Sequence, residues 1–137
     1  MTPILTPLRR GALTALTLLA VTLAACGGTS ETSTPRGTAT VTDGVVEITA
    51  DELAFDVGTI NAPAGEFIVH LVNVESQPHN FSVYTEEGGE PIVEGEIITG
   101  PDATVDIQVP ALDAGTYFFV CDVHSSVEAM TGTLVVG

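Results

Sequence analysis

Towards the C-terminus the chain reads Cys121-Asp122-Val123-His124, with Met130 six residues further on and His79 standing 42 positions before the cysteine. One thiol, two imidazoles and one thioether make four soft or borderline donors. A trigonal His₂Cys set with a weak axial Met suits a copper ion that passes single electrons, because it serves both Cu(I) and Cu(II) tolerably. His79, Cys121, His124 and Met130 are therefore the candidate metal ligands. The rest of the sequence has to supply the elements that bring them together.

Cys121 ends an apolar run, Tyr117-Phe118-Phe119-Val120. Strand alternation puts its side chain on the face of Tyr117 and Phe119, at the end of a core. His124 follows in a loop over 124–131. Met130 precedes Thr131-Gly132-Thr133-Leu134-Val135-Val136, where the loop returns to a strand. His79 lies in Gln77-Pro78-His79-Asn80, a turn between strands, and Asn80 is placed to bond across to the cysteine loop and hold the two together. Each residue also has an ordinary reading: a buried Cys is a small hydrophobe, Met fills core gaps, and a turn His is solvated. The four together are harder to explain that way. His70, mid-strand on the face of Ile68 and Val72, has no donor motif around it and reads either as a partly buried, hydrogen-bonded residue or as an exposed one.

From Asp43 onward, short β-type runs alternate with turn residues. They fall at 45–49, 53–57, 67–74, 80–84, 94–99, 103–109, 116–121 and 132–136. About eight strands at this spacing predict an all-β sandwich. No window carries a 3.6-residue apolar period.

Before the strands comes an export signal. Arg9 and Arg10 precede an apolar run from Gly11 to Leu23, shorter than the roughly 20 residues a membrane span needs. Leu23-Ala24-Ala25-Cys26 resembles the bacterial lipobox. Residues 1–25 are thus expected to be a lipoprotein signal peptide, with Cys26 lipidated. Residues 26–42, rich in Gly, Ser and Thr, read as a flexible tether, and 43–137 as one domain. If Cys26 carries lipid, Cys121 has no disulfide partner, and a lone exported thiol calls for a reason such as metal ligation. All 18 acidic residues lie beyond Cys26, where Arg36 is the one remaining cation. Such a surface repels nucleic acid and attracts a cationic partner. It equally keeps a tethered domain soluble.

Three segments carry a family resemblance: Pro78-His79-Asn80-Phe81, Thr116 to His124, and Met130-Thr131-Gly132-Thr133-Leu134-Val135. They look like the copper-binding segments of cupredoxins of the plastocyanin, pseudoazurin and halocyanin type, and the similarity runs over about 44–137. The resemblance implies a Greek-key β-sandwich and one type 1 copper, held by His79, Cys121 and His124 with Met130 axial and Asn80 supporting them. It implies an electron carrier rather than an enzyme, with His124 on the side of the partner. Five residues separate His124 from Met130, more than is usual in plastocyanin-like members, which implies a longer or displaced axial bond. Asp122 and Glu128 beside the site are expected to make its face acidic and to lower the potential. The expectation is a monomeric, lipid-anchored carrier at the outer face of the cytoplasmic membrane or in the periplasm. Its partners would be redox proteins, such as a cationic cytochrome or a terminal oxidase or reductase. A copper storage or delivery module would use the same ligands without redox turnover. A metal-free β-sandwich would leave Cys121 and Met130 in the core.

Overall fold

The computed structural model describes residues 36–137. The expected signal peptide, the lipidated Cys26 and the tether as far as position 35 lie outside the described residues. The strands are β1 Gly37–Thr40, β2 Val45–Asp51, β3 Ala54–Phe55, β4 Val57–Ala62, β5 Gly65–Asn73 and β6 Pro78–His79. They continue as β7 Ser82–Tyr84, β8 Pro91–Glu94, β9 Ile98–Thr99, β10 Ala103–Leu112, β11 Gly115–Val120 and β12 Thr131–Val136. One sheet has the order β1-β4-β12-β11-β7-β8 and the other β10-β5-β2-β3, with β6 and β9 forming a small separate pair. The all-β sandwich is therefore the architecture adopted.

Three differences from the sequence reading have physical causes. The tether ends earlier than Thr42: β1 pairs parallel with β4, matching Ala39 to Ile60 and Thr40 to Asn61, and Val41 is buried beyond it. The Thr content of this segment suggests a linker, yet Thr is β-branched and suits a strand. Secondly, the run 53–57 is two strands in different sheets. β3 pairs with β2 through a two-residue turn at Glu52 and Leu53, both at positive φ, as the primed hairpin turns require. After Asp56 the chain crosses to the other sheet as β4. Thirdly, 94–99 is broken at Gly95, where a Cβ would lie 2.3 Å from the Phe81 carbonyl oxygen. The two breaks, together with β1 and the short β6, raise the count from about eight strands to twelve.

The core follows the alternation of β5, where Phe67, Val69 and Leu71 face inward and Ile68, His70 and Val72 are half-buried on the outer face. From the opposite sheet come Val83, Phe119 and Leu134. Phe55, Phe81 and Phe119 form an aromatic cluster with centroids 5.1–5.9 Å apart. Gly132 lets that cluster close against the sheet: a Cβ there would lie 2.1 Å from Phe119 Cζ and 2.6 Å from the Gly58 carbonyl oxygen. The end of β11 that leads to Cys121 is thus anchored on rigid aromatic packing.

Candidate metal centre

Beyond β11 the backbone makes three successive turns of the same kind. His124 N–H donates to the Cys121 carbonyl at 3.0 Å, Val127 N–H to the His124 carbonyl at 2.8 Å, and Met130 N–H to the Val127 carbonyl at 2.8 Å. Cys121 N–H then donates to the Met130 carbonyl at 2.9 Å and closes the excursion. Two of the turns are short 3₁₀ helices, Asp122–His124 and Glu128–Met130, where a plain loop was expected. Residues three apart eclipse in such turns. Burial follows that period: Cys121 and Met130 are buried and His124 and Val127 half-buried, while Val123, Ser125, Ser126 and Glu128 are exposed. The five-residue gap before Met130 is taken up by whole turns.

Cys121 Sγ lies 3.6 Å from His124 Nδ1 and 3.8 Å from His79 Nδ1. All three donor atoms lie within 4.8 Å of one another. Metal bonds of about 2.0–2.3 Å to nitrogen and sulfur place trigonal donors about 3.6 Å apart, so one ion fits this set. The imidazoles meet at 51° with centroids 5.0 Å apart. Cys121 and His79 are wholly inaccessible and His124 half-buried. Among the described residues Cys121 is a free cysteine.

His79 is oriented by a residue the sequence reading missed. Its Nε2–H donates to Glu75 Oε1 at 2.8 Å, which leaves Nδ1 turned to the sulfur. The same carboxylate oxygen accepts the Leu53 amide at 2.9 Å, so Glu75 also holds the β2–β3 turn. Glu75 is itself placed by buried Asn73, whose Oδ1 accepts the Glu75 amide at 3.0 Å and whose Nδ2 donates to the Gln77 carbonyl at 2.7 Å. The Leu53 amide first, and then the His79 and His124 side chains, draw the Glu75 pKa below its ordinary value against the opposing pull of burial. Its place four residues before His79 was the available signal.

Asn80 spans the two ligand segments. Its Oδ1 accepts the Asp122 amide at 2.8 Å and its Nδ2 donates to Asp122 Oδ2 at 2.8 Å. Ser82 Oγ also donates to Oδ2, and Tyr84 Oη donates to Oδ1 at 2.8 Å. The expectation of an acidic face is corrected in part. Asp122 is half-buried and its carboxylate is taken up by three donors, which leaves Glu128 as the exposed acid of this loop. The bond to Asp122 is the largest cause that raises the Tyr84 pKa to about 12. His70 stays apart, its Nδ1 2.6 Å from Asp106 Oδ1 on the outer face of β5 and β10.

The cupredoxin-like domain model matches residues 15–136. No curated protein is matched by the sequence. Among solved structures, auracyanin A, a "blue" copper protein from Chloroflexus aurantiacus, is 25% identical with a TM-score of 0.60, covering 72% of this chain and 99% of its own. Dithionite-reduced auracyanin from Roseiflexus castenholzii is 22% identical with a TM-score of 0.60, covering 69% and 97%, and bears on the fold alone. Amicyanin from Paracoccus versutus is 26% identical with a TM-score of 0.52, covering 71% and 85%. With a match over most of its length, a β-sandwich and a buried thiol between two imidazoles, the chain belongs to the cupredoxin-like domain family.

Proposed function

We propose that this protein is a blue copper electron carrier, in which His79, Cys121 and His124, with Met130 as a weaker fourth donor, would hold the copper. The observation that carries the reading is the convergence of one sulfur and two Nδ1 atoms within 4.8 Å at the buried end of a rigid sandwich. Copper, when bound, supplies a one-electron Cu(II)/Cu(I) couple. Cys121, fully buried, keeps its sulfur from oxidants and water. Glu75 fixes the tautomer of His79, as carboxylates behind ligating histidines do. Asn80 ties the His79 segment to the Cys121 segment, so the donors keep their places when charge changes. His124, the least buried of the three, offers its ring edge as the route to a partner.

Absorption and EPR spectra of the copper-loaded domain test the reading. An intense visible band with narrow copper hyperfine splitting supports it, and a colourless protein with an unchanged melting temperature rejects it. Stoichiometric reduction and reoxidation by a cytochrome separates a carrier from a store. Met130→Gln is expected to shift both the potential and the spectrum, and no change removes Met130 from the ligand set. Lipidation at Cys26 and an extracytoplasmic location belong to the same proposal, supported by the lipobox-like Leu23-Ala24-Ala25-Cys26. Mass spectrometry of the membrane-extracted protein should show a lipid-modified Cys26 at its N-terminus, and an unmodified Cys26 would count against the anchor.

A further inference from the structure

Arg36 is the only Lys or Arg beyond position 10, and the fold applies it at one place, the turn that carries Met130. Its Nη1 donates to the Ala129 carbonyl at 2.6 Å and to the Val57 carbonyl of β4 at 3.2 Å. Its Nη2 donates to the Thr131 carbonyl and, at 3.2 Å, to the Glu128 carbonyl. Three of the four acceptors therefore flank Met130 on both sides. The Glu128 carbonyl also accepts the Thr131 amide and hydroxyl, and carbonyls at the end of so short a turn readily accept a cation as well. Gly58 lies beneath the guanidinium, where a Cβ would already touch Nη2 at 3.6 Å, so a larger residue would lift the group from the turn. Neutral side chains could not reach four carbonyls at once. The planar fork of arginine can.

We propose that Arg36 is a positioning residue for the metal centre. By bridging β4 to the carbonyls on either side of Met130, it fixes how closely the thioether approaches the His79, Cys121 and His124 donors. The inference rests on the carrier reading, in which Met130 would be the fourth donor to the copper. Because Arg36 immediately precedes β1, it also makes the point where the chain enters the domain a part of the metal loop.

The test uses the mature protein with Arg36→Met and Arg36→Lys. In the metal-free state, amide exchange at Cys121, Met130 and Thr131 should quicken at least roughly tenfold in Arg36→Met, the loss of even one charge-assisted hydrogen bond being enough for that. Exchange in the β2–β5 pairing should be unchanged. In the copper-loaded state, both variants should alter EPR rhombicity and the ratio of the visible bands. Arg36→Lys, which keeps the charge and loses the fork, separates geometry from charge: a spectrum shifted in both variants is geometric. Unchanged exchange at the turn overturns the proposal. So does faster exchange with an unaltered copper spectrum. Arg36→Lys decides the matter even where Arg36→Met fails to fold. A wild-type protein that stays colourless rejects the carrier reading, while the exchange comparison still settles whether Arg36 holds the turn.

Discussion

Two carboxylates near the proposed ligands have different duties. Glu75 stands behind His79 and fixes which ring nitrogen faces the sulfur. Its replacement by Gln should leave the fold intact and weaken copper binding roughly 10- to 100-fold, the usual cost of losing such a partner, measured by competition with a chelator. Asp122 follows the thiol in sequence and accepts hydrogen bonds from Asn80, Ser82 and Tyr84. Tyr84, whose pKa is raised to about 12, binds its proton more tightly in the folded state than in the unfolded chain. Its contribution to stability is therefore complete below the unfolded value near 10 and is lost as pH rises from there through about 12. Urea midpoints taken across that window should fall, and Tyr84→Phe should flatten the slope. Absorbance titration of the phenolate should show one late-ionising tyrosine that disappears in the same variant.

At the level of elements, the proposed ligands are placed by the end of β11, the small β6/β9 pair and the three turns from Cys121 to Met130. Phe119 and Gly132 determine where that end lies. Gly132→Ala pushes a methyl into Phe119 and the β4 backbone, and should cost about 1–3 kcal/mol by overpacking, read as a lower urea midpoint. The donor types and the β character of the chain were legible because strands show a period of two and turns show Gly, Pro and Asn. The loop was not, since its period of three is carried by only Cys121, His124, Val127 and Met130, with no run of apolar residues to announce it. The sheet change at Asp56 was also hidden: five β-type residues look alike whether they pair on one side or are shared between two sheets. Glu75 and Arg36 escaped notice for another reason. Apart from the His79 ring, four residues from Glu75, their partners are backbone groups distant in sequence, and only the folded chain brings these within hydrogen-bond reach.

For the molecule as a whole, one arginine faces 18 carboxylates beyond Cys26, and that arginine is engaged internally. The surface is thus left almost purely anionic. Association with a cationic redox partner should slow markedly as salt rises from about 10 to 150 mM, because the screening length falls from roughly 30 to 8 Å. Stopped-flow electron transfer with a cationic and an anionic cytochrome would measure it, with the anionic protein showing the reverse trend.

The guanidinium that grips the Met130 turn has one more consequence, concerning proteolysis. Beyond position 10, Arg36 is the sole residue after which trypsin cuts, and such a protease needs that side chain in its specificity pocket. In the folded domain both terminal nitrogens are engaged by carbonyls of β4 and the metal loop. Cleavage must wait for the loop to let go, so its rate measures local opening. A domain loaded with metal should therefore be shed from its N-terminal segment more slowly than an empty one. The same bonds that would tune the centre would also make cleavage between the domain and the proposed lipid anchor sensitive to whether the centre is filled.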